Sequence, residues 1–119
     1  MAITYTTKIV TATPYTATNS DEVLFINVPS TSSVILPVIA GDDKEDKRSY
    51  YIKDYSGNAK INPIIITANG GKTIDGVSFA ILNSGYSHIQ VIYDGTNWKT
   101  IAWRLRIKII IKGKHNVLF

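Results

Sequence analysis

Short runs of β-branched and aromatic residues, separated every 8 to 12 residues by turn-forming groups, organise most of this 119-residue chain. The runs are too short for ordinary helices and the stoppers between them too frequent. Ile, Val and Thr fill 39 positions, against 5 Leu and 8 Ala. β-Branched side chains are stiff at χ1 and sit well on a pleated surface, whereas Leu and Ala are what helices favour, so helix bundles and coiled coils are disfavoured. Strands are expected at 3–10, 22–28, 33–36, 49–54, 61–67, 77–82, 87–93 and 97–103. Their even spacing points to an all-β fold, an antiparallel β-sandwich of jelly-roll type, rather than βαβ units.

The turns carry specific chemistry. Ser56-Gly57-Asn58, Asn69-Gly70-Gly71, Asp75-Gly76 and Asp94-Gly95 supply residues that accept positive φ, as tight hairpins demand. Alternation between them has a period of two: Ile89, Val91 and Tyr93 fall on one face of a strand, His88, Gln90 and Ile92 on the other. Pro29 and Pro37 follow runs, and Pro63 marks the first residues of a strand or an edge, because proline cannot donate to a ladder. The charged stretch from Gly41 to Arg48 reads as an exposed loop joining two halves of the domain.

Length fits one module with its own core. No cysteine is present, which removes disulfides, thiolate zinc ligands and a cysteine nucleophile. The polar start, Met1-Ala2-Ile3-Thr4-Tyr5, does not read as a secretory signal, and the aliphatic triplets Ile64–Ile66 and Ile109–Ile111 fall far short of the ~20 residues of a membrane span. The net charge of +4 divides unevenly, −2 over residues 1–98 and +6 over residues 99–119, so the basicity belongs to the C-terminal tail.

Candidate chemistry is sparse. Gly70-Gly71-Lys72-Thr73 resembles the end of a phosphate-binding loop, but Ile66 stands where its first glycine belongs and no helix follows, so a turn explains the glycines. Asp42, Asp43, Glu45 and Asp46 lack calcium-loop spacing and are neutralised by Lys44, Lys47 and Arg48. Asp75 and Asp94 precede glycines and are expected to cap their own turns rather than work as a glycosidase pair. His88 and His115 lie far apart, with neither a nucleophile elbow nor a His-Glu-x-x-His motif. No catalytic, cofactor-binding or metal-binding residue is assigned, and the chain is read as a non-enzyme that needs no cofactor. Among the aromatics, Tyr55, Tyr86 and Trp98 are candidate glycan contacts if their rings share an exposed face, although Trp98, following a tight turn, also suits the end of a β core.

The tail alternates. Arg104, Arg106 and Lys108 point one way, Leu105, Ile107 and Ile109 the other, and Ile111 extends the apolar series. Left unpaired, such a strand would aggregate, so Arg104, Arg106, Ile107, Lys108, Ile109 and Ile111 are expected to form an assembly strand on this or a neighbouring subunit. Nucleic acid is the less favoured partner, because no aromatics interleave the charges. The chain therefore divides into a β domain, 1–103, and a basic docking tail, 104–119.

Val34-Ile35-Leu36-Pro37, the run Tyr50-Tyr51-Ile52-Lys53-Asp54-Tyr55-Ser56-Gly57-Asn58-Ala59, then Ile64-Ile65-Ile66, Thr73-Ile74-Asp75-Gly76 and Asp94-Gly95-Thr96-Asn97-Trp98 follow one another in order. Over about residues 15–101 they resemble a β-rich module of bacteriophage tail-fibre and virion proteins and of large DNA viruses and their satellite viruses. The resemblance implies a non-enzymatic structural domain of a virion, made in the host cytoplasm, self-associating and often trimeric. It also implies a location in a fibre, spike or minor capsid component, contact with other virion proteins, and attachment to host-surface glycans. It carries no catalytic residue across, and the tail after Ile101 lies outside it. The competing expectation is a carbohydrate-binding module that uses surface Tyr and Trp rings as a monomer.

Overall fold

The computed structural model describes residues 5–39 and 48–104. These form nine strands and no helix: β1 (Thr7–Val10), β2 (Tyr15–Thr16), β3 (Val23–Ile26), β4 (Ser32–Ile35), β5 (Ser49–Asp54), β6 (Ile64–Thr67), β7 (Phe79–Leu82), β8 (His88–Tyr93) and β9 (Trp98–Arg104). All eight expected strands are present. β2 is additional, two residues with too little length to show a pattern.

The strands build a five-stranded sheet, in the order β1-β3-β5-β8-β9, and a four-stranded sheet, in the order β2-β4-β6-β7. From β1 to β6 the chain alternates between the two sheets, so each new strand lies parallel on the one laid down a winding earlier. Thr7 pairs with Val23 and Val23 with Tyr51 in one sheet, while Tyr15 pairs with Val34 and Val34 with Ile66 in the other. Parallel neighbours require a crossover connection. Here each crossover passes through a strand of the opposite sheet. After β6 the direction reverses: β7 folds back on β6, β8 on β5 and β9 on β8, all antiparallel. The expected purely antiparallel, jelly-roll pattern is thereby corrected. Both sheets are mixed, and four of the seven strand pairings among the described residues are parallel.

Alternation sets what is buried. β5 turns Tyr50, Ile52 and Asp54 inward, and β8 turns Ile89, Val91 and Tyr93 inward, with His88, Gln90 and Ile92 on the outer side. From the other sheet come Val34, Ile64, Ile66, Ala80 and Leu82, and all these apolar side chains join one core cluster. Burying a Val, Leu or Ile side chain contributes about 1.5–3 kcal/mol, so this shared interior is the main source of cohesion between the sheets. Pro63 precedes an interior strand rather than an edge one, and its carbonyl accepts the Ser32 amide at 3.1 Å.

Two turns show the backbone chemistry clearly. At Asp75-Gly76 both residues have positive φ (48° and 87°), and Ile74 and Val77 exchange backbone hydrogen bonds across the turn. This is the mirror-image turn whose twist suits a β-hairpin. The Asp75 carboxylate does not cap that turn, however. It accepts the Thr100 amide at 3.2 Å and the Thr100 hydroxyl, tying the hairpin to β9. Asp94 does cap its own turn, accepting the Thr96 and Asn97 amides at 2.8 and 2.9 Å. Those bonds, that of Asn97 foremost, hold its carboxyl below the usual carboxylate range.

Candidate functional site

The outer face of the five-stranded sheet gathers the candidate side chains. In β3, β5 and β8 every second residue points outward, and the register sets these residues in two rows: Val23 beside Tyr51 and Gln90, then Phe25 beside Lys53 and His88. Tyr5, just before β1, meets Tyr51 edge to face, with ring centroids 6.1 Å apart. Between the rows lies a groove of ≈ 260 Å³, open to solvent and lined by Tyr5, Val23, Phe25, Tyr51, Lys53 and His88.

Two further rings stand at the end of β5. Tyr55 is 46% exposed and lies against Phe25 at 5.7 Å. Tyr86 is 47% exposed, and the Lys53 ammonium sits 5.8 Å from its centroid while donating to its carbonyl at 2.5 Å. A cation over a ring face is attracted by the ring quadrupole, and the hydrogen bond fixes the lysine's direction along the groove wall.

A buried carboxylate holds the backbone of Tyr86 and of the turn after β5. Asp54, at the end of β5, is 2% exposed, and its Oδ2 accepts the amides of Ala59 at 3.0 Å and Tyr86 at 2.9 Å. One oxygen thus joins the turn after β5 to the turn before β8. The turns also touch directly: a Cβ at Gly57 would lie 2.5 Å from the Tyr86 ring, and one at Gly85 would lie 2.9 Å from the Gly57 carbonyl oxygen. Gly57 has φ +84° and Tyr86 φ +61°, so both sit in the left-handed region, where glycine is at ease and tyrosine is held by its surroundings.

Of the sequence-expected contacts, Tyr55 and Tyr86 stand exposed at one end of this face. Trp98 does not join them, which corrects its assignment as a glycan contact. Its side chain is fully buried, with Tyr50 and Tyr93 tilted against it at 5.8 and 5.2 Å. The physical reason is register, since Trp98 faces inward opposite Tyr93, where a large ring fills the end of the core. Of the tail, Arg104 ends β9, one residue past the expected domain boundary; Arg106, Ile107, Lys108, Ile109 and Ile111 lie outside the described residues, as do most of the 41–48 loop and the four acids in it. Sequence reasoning missed Tyr5, Phe25, Tyr51, Lys53 and His88 as neighbours. The face on which His88 falls was legible from the alternation of its strand, but which strands lie side by side was not.

Among the described residues no three His, Cys, Asp or Glu side chains converge as metal ligands, and no helix is long and apolar enough to cross a membrane. No protein-family model matches the chain, and no curated protein matches it.

Proposed function

We propose that this chain is a non-enzymatic structural module of a virus particle, belonging to a fibre, spike or minor capsid component. In this reading it self-associates, most simply as a trimer, with its two sheets as the layers of a sandwich. It offers the outer face of the five-stranded sheet for attachment to host-surface glycans. It is made in the host cytoplasm and resides in the virion, where the tail from Arg104 docks on other virion proteins. The ordered motifs from Val34 to Trp98 support the viral assignment through their resemblance to fibre and virion modules.

The observation that carries the reading is where the apolar material outside the core lies. Tyr5, Phe25, Tyr51 and Tyr55 gather on the outside of one sheet. On the outside of the other, Ile65 pairs with Ile81, and Phe79, 47% exposed, stands opposite Thr67 next to Ile35. Apolar side chains collected on an outer sheet face mark a surface for association. The four-stranded face suits a second copy of the chain, and the ring-lined face suits a ligand. Multi-angle light scattering of the purified chain tests this, with a concentration-dependent oligomer expected and Phe79→Asp expected to shift it towards monomer. A strictly monomeric protein that still binds sugars would overturn the structural reading in favour of a carbohydrate-binding module.

A further inference from the structure

The groove on the five-stranded sheet has a chemical polarity that narrows its ligand. Resting on the attachment reading above, we propose that it binds a terminal acidic pyranose, a six-membered sugar ring that carries a carboxylate, with Lys53 as the anion partner. Size is the first argument. At ≈ 260 Å³ the groove lies just under the ~300–1,000 Å³ typical of sites for drug-sized ligands, so it holds about one ring. Because the groove opens outward, the remainder of a glycan extends into solvent.

The walls are the second argument. Tyr5, Phe25 and Tyr51 present ring surface and Val23 aliphatic surface, which match the C–H face of a pyranose. Phe25 and Tyr51 stand on paired strands, and the Tyr5 ring rests edge-on against Tyr51, so most of the platform is in place before a ligand arrives and the ordering cost of binding is reduced.

Charge is the third. Lys53 is the one lysine or arginine among the six lining residues, and none of the six is acidic. The adjacent carboxylate, Asp54, faces the core with its Oδ2 committed to two backbone amides. An ammonium has three N–H donors. One is spent on the Tyr86 carbonyl, which aims the group, and two remain for a carboxylate. His88, the cross-strand neighbour of Lys53, completes the polar end. A neutral sugar would use the rings and offer the cation only hydroxyl oxygens, without the charge assistance a carboxylate brings. A nucleic-acid strand would call for a row of cations, and this groove provides one lysine.

The test uses the full chain and two probes, methyl β-D-glucuronide and methyl β-D-glucoside, titrated separately while backbone amide resonances are followed by NMR. The glucuronide should move the Tyr51, Lys53 and His88 amides and bind about fivefold more tightly than the glucoside, the upper end for a partly exposed ion pair. Added salt should shrink that margin. Lys53→Met, which keeps the aliphatic stem, should abolish the difference while glucoside binding persists, and Lys53→Arg should restore it. Tyr5→Ser, at a side chain 51% exposed, removes one wall without touching the core and should weaken both sugars. Equal affinity for the two probes, or a difference that survives Lys53→Met, overturns the acidic-sugar proposal and leaves the attachment face standing. No shift with either probe overturns the groove as a sugar site, while light scattering judges the structural reading separately.

Discussion

Removing the Asp54 carboxylate should loosen the face that carries the rings before it unfolds the domain. Its Oδ2 receives two amide hydrogen bonds, from Ala59 at 3.0 Å and Tyr86 at 2.9 Å, in a side chain 2% exposed. A hydrogen bond to a charged group contributes about 1.5–3 kcal/mol net, and a buried donor left unpaired costs about 1–3 kcal/mol. Ala59 is buried, so its amide has no ready replacement, whereas Tyr86 is half-exposed and its amide can turn to water. Asp54→Ala should therefore destabilise by about 3–5 kcal/mol, the two terms overlapping rather than adding. Asp54→Asn keeps an acceptor oxygen in place and loses the charge assistance, for about 1–2 kcal/mol. Urea unfolding followed by tryptophan fluorescence measures both, with Trp98 as a buried reporter. Amide hydrogen exchange adds the local readout: the Ala59 and Tyr86 amides should lose protection in Asp54→Ala well before the β8 amides do. An Asp54→Ala protein within about 0.5 kcal/mol of the parent, the usual range for an inconsequential surface change, would refute the argument that this carboxylate clamps the two turns.

Other outcomes follow from the same geometry. Gly57→Ala places a Cβ 2.5 Å from the Tyr86 ring at a φ of +84°, so it should cost about 1–3 kcal/mol and displace the Tyr86 resonances, as thermal unfolding and NMR would report. Trp98→Ala should cost about 3–5 kcal/mol in denaturant unfolding, because the ring is fully buried between Tyr50 and Tyr93. Tyr15 has its phenol pushed up to about 12, first by burial and then by its hydrogen bond to Asp21 at 2.7 Å. The unfolded chain loses that proton near pH 10 and the folded chain holds it to about 12, so stability should fall as pH rises through that window. Tyr15→Phe should remove that part of the alkaline loss, and a phenolate absorbance titration with no group delayed beyond the ordinary tyrosine range would contradict it.

Much of the fold was legible because inside–outside parity is written into each strand. In β8 the alternation of Ile89, Val91 and Tyr93 with His88, Gln90 and Ile92 appears in the structure as read, and the Asp75-Gly76 and Asp94-Gly95 turns lie where their chemistry put them. Strand direction was not legible. A strand with one buried face shows the same period of two whether its neighbour runs parallel or antiparallel, so nothing in β3 or β4 announced that each lies parallel to the strand one winding earlier. The site was half legible for a related reason. Tyr55 and Tyr86 stood out as aromatics near turns, but the groove joins Phe25, Lys53 and His88 across long separations through register, and adds Tyr5 through its ring contact with Tyr51.

The sequence by itself determined the helix-free class, the positions of eight strands, the tight turns and the face that His88 and Gln90 share, because propensity, turn chemistry and alternation are local properties of the chain. Only the tertiary structure decided that Trp98 belongs to the core, that Asp75 reaches Thr100 instead of its own turn, and that one oxygen of Asp54 holds two turns together. Those outcomes depend on which strands become neighbours. Neighbours are chosen when two sheets bury a common apolar interior, a free energy that no single segment contains.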